Sequence, residues 1–211
     1  MNKQYITIAG NIGVGKSTLV KLLTKRLNWE PVYEAVTENP YLADFYMDMA
    51  RWSFQSQLFF LSRRLKQHYA LLQNKQNIIQ DRSVYEDAEI FAKNLYVKGY
   101  MSQRDWDCYY DLYETMCNML QPPQLMIYLK ASLPTLRQRI ALRGRAYEQQ
   151  IEDDYLAQLN ELYDDWAERF VLCPILIIDT DGLNYVKYDT HLDAIWQKIE
   201  QRLYGRDYLS L

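Results

Sequence analysis

Residues 4–18 read QYITIAGNIGVGKST, and this stretch decides the fold. Residues 4–9 are mostly β-branched and apolar, which is typical of a short strand. Residues 16–27 carry leucines at helical spacing, so a helix is expected there. The glycine-rich turn between them matches G-x-x-x-x-G-K-[ST], in the context of strand, loop and helix that this motif requires. The stretch therefore predicts a phosphate-binding loop at the carboxyl end of a first strand.

The residue types of this loop suit the phosphates of a nucleotide. Glycines let the backbone wrap around an anion so that successive N–H groups point at it, and Lys16 adds a cation between phosphoryl groups. Ser17 can offer its hydroxyl to magnesium. The motif thus predicts a nucleoside triphosphate site. The phosphate-binding residues expected here are Gly10, Asn11, Ile12, Gly13, Val14, Gly15, Lys16, Ser17 and Thr18.

The rest of the chain alternates short apolar runs with longer stretches of helical spacing. The alternation predicts an α/β fold with a parallel sheet flanked by helices. No repeat or linker divides the 211 residues, so one domain spanning 1–211 is expected. The further strands are expected at 31–33, 77–80, 125–129 and 175–178. The further helices are expected at 41–49, 52–72, 84–98, 102–119, 133–142, 153–171 and 192–203.

Composition narrows the class of protein. Hydrophobic residues make up 49% and charged residues 24%, as in soluble globular domains. Lysine and arginine total 24 against 27 acidic residues, which disfavours a broad nucleic-acid-binding face. No apolar run approaches the roughly 18 to 20 residues of a membrane helix, and no signal peptide is evident. Three cysteines without a CxxC pair fit reduced thiols in the cytoplasm. From the charge balance and the short apolar runs, neither nucleic acid nor membrane is expected as a partner.

Four arginines crowd into residues 137–145, which read RQRIALRGR. A solvated helix face would explain them. With a phosphate loop present we favour a mobile lid at about residues 139–150, because phosphoryl transfer requires that negative charge be neutralised and water excluded. The lid residues expected to bind ATP are Arg139, Arg143 and Arg145.

A third cluster, Asp81-Arg82-Ser83, directly follows one of the expected strands. In a sheet of this kind the carboxyl ends of the strands face the ligand crevice. A salt bridge within a turn is the alternative. We expect Asp81 to hold magnesium together with Ser17, and Arg82 to be catalytic through contact with a phosphoryl or attacking oxygen.

Five separated stretches of the sequence are informative in combination. They are GNIGVGKST (10–18), EAVTENPYL (34–42), RWSFQSQ (51–57), DRSVYEDAEIFAKNLY (81–96) and LRGRAYE (142–148). Together they resemble the deoxyribonucleoside kinase family, and most of all its bacterial members that act on deoxyadenosine or deoxycytidine. The resemblance implies a P-loop kinase fold with a five-stranded parallel sheet, an arginine-rich lid and a homodimer. It also implies that the γ-phosphoryl group of ATP is transferred, with Mg²⁺, to the 5'-hydroxyl of a salvaged deoxynucleoside.

The resemblance implies that Glu34 is the general base. Glu34-Ala35-Val36 stands where the family has Glu-Pro-Val, and it keeps the spacing to Asn39-Pro40-Tyr41. Glu30-Pro31-Val32 spells the consensus but lacks that spacing, so Glu34 is chosen. A carboxylate within hydrogen-bond reach of a 5'-hydroxyl can accept its proton, and Arg82 beside it would keep that carboxylate ionised.

The resemblance also assigns the substrate-binding residues. Tyr46 and Glu148 correspond to the pair that binds the sugar 3'-hydroxyl. Because Glu148 follows the lid arginines, lid closure and sugar recognition would be linked. The residues expected to bind the base are Gln57, Arg64, Asp87 and Phe91.

Within that set, Gln57 would meet the edge of the base, Asp87 would accept from an exocyclic amine, Arg64 would hold Asp87, and Phe91 would stack. Adenine and cytosine both offer an amino donor, whereas thymine would turn a carbonyl toward Asp87. A buried unpaired acceptor costs about 1 to 3 kcal/mol, so thymidine should be rejected. Deoxyadenosine is the first choice and deoxycytidine the second, with deoxyguanosine as a further alternative.

Two other classes of P-loop protein would carry sequence elements that this chain lacks. A GTP-dependent switch would carry Asn-Lys-x-Asp, but residues 74–77 read NKQN and lack the final carboxylate. An ATPase module could use residues 175–179, ILIID, as a magnesium-binding strand end, but no glutamate follows. By resemblance, the residues expected near the adenine of ATP are Asp179, Thr180 and Asp181.

Overall fold

The computed structural model describes residues 3–33, 38–201 and 206–209. Its strands form one sheet in the order β2-β3-β1-β4-β5-β6, and every neighbouring pair runs parallel. The first strand, β1, therefore lies inside the sheet with a partner on each side. The strands are β1 (Tyr5–Gly10), β2 (Glu30–Val32), β3 (Ile78–Asp81), β4 (Leu125–Lys130), β5 (Ile175–Asp179) and β6 (Arg206–Leu209).

Helices connect successive strands and cover both faces of the sheet. They are α1 (Lys16–Leu27), α2 (Leu42–Met47), α3 (Met49–Gln73), α4 (Val84–Glu86), α5 (Lys93–Val97), α6 (Gln103–Cys117), α7 (Leu133–Arg143), α8 (Asp153–Arg169) and α9 (Asp189–Glu200). A π-helical segment, Asp87–Ala92, joins α4 to α5, and a short 3₁₀ helix, Ala146–Gln150, precedes α8. No helix in the described part of the chain is long and apolar enough to cross a membrane.

Side chains on the strands alternate between two hydrophobic clusters. Ile8 and Ile127 face the cluster that contains the apolar sides of α1 and α9. Ala9 and Tyr128 face the opposite cluster, which contains parts of α3, α6 and α8. This alternation follows from the period of two in a strand, and it buries the sheet on both sides.

The α/β prediction with a parallel sheet flanked by helices is confirmed, with a correction to the strand count. The sheet has six strands rather than five. The additional strand, Arg206–Leu209, pairs with β5 alone at the edge of the sheet. Its sequence, RDYL, carries two charges and lacks the continuous apolar run that marks a strand buried between two neighbours.

Residues 84–98 were expected to form one uniform helix, but they form α4, a π-helical segment and α5. Ser83 and Glu86 form a capping box that begins α4, and the helix then widens into the π-helical segment. Hydrophobic periodicity cannot reveal such a widened turn, because a single turn barely alters the spacing of the apolar residues.

The register of the strands fixes the position of the site. Ile8 pairs with Asp81 and Gly10 pairs with Leu129, so the carboxyl ends of β1, β3 and β4 lie at the same edge. In a doubly wound parallel sheet, ligands bind at this edge. The phosphate loop and the Asp81-Arg82-Ser83 segment therefore lie next to each other.

Candidate active site

The glycine-rich loop adopts the backbone conformation that its sequence predicts. Gly15 has φ 109° and caps the amino end of α1. A side chain at this position would collide with the Tyr185 hydroxyl. Lys16 is buried, and its Nζ donates to the Gly10 carbonyl at 2.8 Å and to the Asn11 carbonyl at 2.9 Å. The lysine ammonium thus lies across the concave side of the loop, where phosphate oxygens would bind.

Asn11 fastens the loop to α8. Its side-chain oxygen accepts from the Ile12 N–H at 2.7 Å, and its Nδ2 donates to the Leu156 carbonyl at 2.9 Å and to Asn160 Oδ1 at 2.7 Å. Asn160 in turn donates to the Ala131 carbonyl, just after β4. The side chain of Asn11 therefore acts within the protein, and only its backbone is available to a phosphate.

A cavity of about 290 Å³ opens beside the loop. It runs from the phosphate loop to the helical segment that follows β3. Most residues expected to bind substrate or catalyse the reaction contribute to its wall. They are Ile12, Gly13, Lys16, Ser17, Tyr46, Gln57, Asp81, Arg82, Asp87, Phe91, Arg143, Arg145 and Glu148.

Ser17 and Asp81, the two expected metal ligands, are in direct contact. The Ser17 hydroxyl donates to Asp81 Oδ2. The other carboxylate oxygen, Oδ1, is buried and has no hydrogen-bond partner among the described residues. An orphaned carboxylate oxygen beside a hydroxyl is the hard oxygen environment that Mg²⁺ prefers, so these residues fit the ion.

Arg82 lines the cavity and has an unusual backbone conformation. Its φ is 66°, in the left-handed region that few residues other than glycine adopt. The guanidinium carbon lies 4.2 Å from the centre of the Phe91 ring, and Nε lies 3.9 Å from Glu86 Oε1. Strain of this kind persists where the surroundings hold it, and it concentrates at functional sites.

Asp87 lines the cavity and forms a buried ion pair with Arg64, which is not on the cavity wall. Arg64 Nε donates to Asp87 Oδ2 at 2.9 Å, and each side chain is 3% exposed. Arg64 Nη1 also donates to the Asp81 carbonyl at 3.1 Å, while Gln57 is buried on the cavity wall. The π-helical segment turns both Asp87 and Phe91 toward the cavity. A fixed carboxylate, an amide and an aromatic ring can together recognise a planar base.

Two of the three predicted lid arginines bind Glu148. Arg143 donates to Glu148 Oε2 at 2.9 Å through Nε, and Arg145 donates to Oε1 at 3.1 Å. Glu148 is buried, and Tyr46 lines the same cavity. Gly144, with φ 69°, ends α7 between the two arginines. The contacts therefore join the predicted sugar-binding carboxylate to the predicted phosphate-binding cations.

The third lid arginine, Arg139, is placed differently. It belongs to α7 and donates to the Val14 carbonyl and to Thr180 Oγ1, each at 2.8 Å. Asp181 accepts from the Ser132 N–H at 2.9 Å. Arg139 and residues 179–181 thus lie behind the phosphate loop rather than on the wall of the cavity.

The predicted general base, Glu34, lies outside the described residues. Its rival Glu30 is described, and it is the first residue of β2, at the end of the strand opposite the phosphate loop. The Glu30 carboxylate accepts from Asn74 Nδ2 and does not line the cavity. The position of Glu30 is therefore incompatible with a role at the cavity.

Several wall residues and one buried carboxylate were not predicted. Glu86 is fully buried behind the cavity, although it belongs to the stretch DRSVYEDAEIF. Burial raises the pKa of the Tyr155 hydroxyl, which faces the cavity from α8. No sequence motif indicates that the unpredicted wall residues, most of them aromatic, belong to the site, because only the fold brings them together. The unpredicted wall residues are Tyr33, Leu42, Phe45, Phe60 and Tyr155.

Known proteins resemble this chain along most of its length. The family model for deoxynucleoside kinases matches residues 6–204. The deoxyadenosine/deoxycytidine kinase of Bacillus subtilis is 42% identical over 198 residues, which cover 92% of this chain and 90% of that protein. The deoxyguanosine kinase of Lactobacillus acidophilus is 33% identical over 207 residues, covering 94% and 90% of the two chains. The structure of deoxyadenosine kinase from M. mycoides with bound dCTP has a TM-score of 0.82 at 33% identity and covers 94% of this chain and all of that one.

Proposed function

The chain belongs to the deoxynucleoside kinase family, and from this premise we propose that it transfers the γ-phosphoryl group of ATP to the 5'-hydroxyl of deoxyadenosine. One observation carries the proposal. One cavity is lined both by the phosphate-loop lysine, Lys16, and by Asp87, the carboxylate that the buried Arg64 holds. A phosphoryl donor and a nucleoside could therefore bind in contact with each other, as direct transfer requires.

The cationic side chains of the cavity would stabilise the charge that develops during transfer. Lys16 and the lid arginines Arg143 and Arg145 would contact the phosphoryl oxygens. Arg82, held over Phe91, would lie near the reacting oxygen. Glu34 would accept the proton of the 5'-hydroxyl as the bond to phosphorus forms, so that the products are ADP and a deoxynucleoside 5'-monophosphate.

Magnesium would bind between Ser17 and Asp81. The orphaned Asp81 Oδ1 and the adjacent Ser17 hydroxyl support this assignment. When bound, the ion would neutralise and orient the phosphoryl oxygens of ATP.

Lid closure is proposed for the part of residues 139–150 that carries Arg143 and Arg145. In the structure both arginines bind Glu148. A sugar 3'-hydroxyl that bound Glu148 and Tyr46 would compete for the same carboxylate oxygens, and would thereby release arginine donors toward phosphate. Arg139, which is bonded to the Val14 carbonyl, would instead stabilise the loop backbone.

Base choice would depend on Asp87. Arg64 holds one oxygen of this carboxylate at 2.9 Å, so the carboxylate has a fixed orientation. A fixed acceptor suits the exocyclic amine of adenine or cytosine and opposes the carbonyl of thymine. The relative named deoxyadenosine/deoxycytidine kinase supports deoxyadenosine as first choice and deoxycytidine as second, and the one named deoxyguanosine kinase keeps deoxyguanosine as the further alternative.

We also propose a cytoplasmic homodimer that uses neither nucleic acid nor membrane. The family resemblance supports the dimer. The net charge of -3 disfavours nucleic acid as a partner, and the free cysteines fit the reducing cytoplasm. Sedimentation velocity distinguishes a dimer from the 25.3 kDa monomer.

The proposed function is tested by ADP formation from ATP and Mg²⁺ with each of the four deoxynucleosides, and with none. We expect ADP to form only when an acceptor is present, fastest with deoxyadenosine and slowest with thymidine. ADP formed at one rate with and without acceptors would indicate an ATPase or a switch. A higher kcat/KM for deoxyguanosine would overturn the base ranking alone.

Removal of the base-reading pair should relax discrimination against thymidine. The double variant Asp87→Ala, Arg64→Met deletes the carboxylate without leaving a buried cation unpaired. The ratio of kcat/KM for deoxyadenosine to that for thymidine should fall about tenfold or more, because one hydrogen bond is lost and one repulsion is removed. The ratio cancels effects on phosphate chemistry that both substrates share.

The neighbouring variant Arg63→Met is the control. Arg63 is more than a third exposed and pairs with Glu38 at 3.3 Å. The Arg63→Met variant should keep the ratio of kcat/KM for deoxyadenosine to that for thymidine within about twofold of wild type, because an exposed ion pair contributes little. An unchanged ratio in the double variant would mean that Asp87 and Arg64 do not read the base.

A further inference from the structure

Glu86 is a fully buried carboxylate that joins three elements of the fold. Its Oε1 accepts from the Gly10 N–H at 3.2 Å and from the Tyr163 hydroxyl at 2.8 Å. Its Oε2 accepts from the Ser83 N–H at 2.8 Å and from the Ser83 hydroxyl at 3.1 Å. The carboxylate therefore links the first residue of the phosphate loop, the turn after β3, and α8.

The capping box explains only half of these contacts. The bonds from the Ser83 N–H and hydroxyl to Oε2 belong to the capping box that begins α4. The bonds to Gly10 and Tyr163 serve no helix end. A buried carboxylate is costly unless its oxygens are well paired, and glutamine could cap the helix without the cost of a charge. Helix capping alone therefore does not explain why residue 86 is a glutamate rather than a glutamine.

The reason lies in Arg82. Its strained backbone is fixed from both sides, because its own N–H donates to the Ile8 carbonyl at 2.9 Å and the next N–H, that of Ser83, donates to Glu86. Its guanidinium carbon lies 4.2 Å from the centre of the Phe91 ring, and its Nε lies 3.9 Å from Glu86 Oε1. Glu86 thus restrains both the main chain and the charged end of the arginine.

The electrostatic surroundings agree with this arrangement. Burial raises the pKa of the Glu86 carboxyl, and the charges of Arg82 and Lys16 oppose that effect. The same two cations face the position of the phosphates. Glu86 itself does not line the cavity, so any effect on the reaction must pass through its neighbours.

We propose that Glu86 is a positioning residue, which orients Arg82 and the first residue of the phosphate loop for phosphoryl transfer. The proposal rests on the function proposed above and deepens it. Because Glu86 acts at the phosphoryl end of the cavity, its loss should lower kcat much more than it alters nucleoside binding.

The test compares Glu86→Gln with wild type in kcat, in KM for deoxyadenosine and ATP, and in thermal unfolding. Glutamine keeps the shape of the side chain. Its neutral amide cannot accept at both oxygen positions, so it would place an N–H donor against the Gly10 N–H or the Ser83 N–H. We expect kcat to fall about tenfold or more, while KM for deoxyadenosine stays within about threefold.

Glu89→Gln is the matched control. Glu89 lies on the same helical segment, is partly buried, and accepts from the Tyr113 hydroxyl at 2.6 Å, away from the cavity. We expect its kcat to stay within about twofold of wild type. Equal kcat values for Glu86→Gln, Glu89→Gln and wild type would overturn the proposal. A wild-type enzyme that phosphorylates no deoxynucleoside would instead overturn the proposed function.

If Glu86→Gln does not fold, a second variant, Tyr163→Phe, tests the positioning role of Glu86. Tyr163→Phe removes one hydroxyl from Glu86 Oε1 and keeps the carboxylate. It should lower kcat about threefold without changing KM for deoxyadenosine, because one restraint on Glu86 is lost. Tyr128→Phe is its control, since the Tyr128 hydroxyl bonds to Asp164. Equal kcat values for these two tyrosine variants would also contradict the proposal.

Discussion

Replacement of Lys16 by alanine is expected to lower kcat/KM for deoxyadenosine about a thousandfold or more, since the lysine cation would stabilise charge on the transferring phosphoryl group. The ammonium lies within the phosphate loop, bonded to the carbonyls of Gly10 and Asn11. Its loss removes the loop's own cation from the place where the phosphoryl oxygens would bind. The measurement is steady-state ADP formation at saturating ATP and Mg²⁺.

Lys21→Ala is the matched control for this variant. Lys21 lies on the exposed side of the same helix, α1. It should retain the activity of wild type within about twofold, because an exposed lysine contributes little to stability or to a distant site. A Lys16→Ala enzyme with normal turnover would contradict the assignment of the phosphate loop.

Glu34→Gln is expected to lower kcat at least about a hundredfold, the typical contribution of a general base, while binding of the deoxynucleoside is largely kept. The role of Glu34 rests on the sequence pattern, since this residue lies outside the described part of the chain. Glutamine preserves the size of the side chain and removes its ability to accept a proton. Single-turnover kinetics, with substrate affinity measured separately, would distinguish the two effects.

Glu30→Gln supplies the comparison. Glu30 lies at the far end of β2 and is bonded to Asn74, so its replacement should leave kcat within about twofold of wild type. If Glu30→Gln loses activity and Glu34→Gln keeps it, the base has been assigned to the wrong glutamate.

Local motifs account for the parts of the site that the sequence predicts well. The phosphate loop needs only neighbouring residues, because its glycines, Lys16 and Ser17 are set by one turn between β1 and α1. Asp81 ends β3 and Arg82 follows it directly, so their position at the sheet edge could be inferred. The family membership predicted from five separated stretches is confirmed.

The parts that were missed depend on packing between distant segments. Tyr155 reaches the cavity from α8 and Tyr33 from the end of β2, with no pattern in either sequence to indicate it. Arg139 resembles the other lid arginines in the sequence, yet its position within α7 directs it to Val14 and Thr180. Glu86 looked like an ordinary helix residue, because its partner Tyr163 lies far along the chain.

The central claim, transfer to a 5'-hydroxyl, is tested most directly with deoxyadenosine and with 2',5'-dideoxyadenosine, which lacks that hydroxyl. With deoxyadenosine, phosphorus NMR should show a 5'-monophosphate formed in equal amount to ADP. The analogue should compete with deoxyadenosine for the site and produce no ADP above the rate without acceptor. ADP formed equally fast with the analogue, or phosphate found on the 3'-oxygen, would contradict the account.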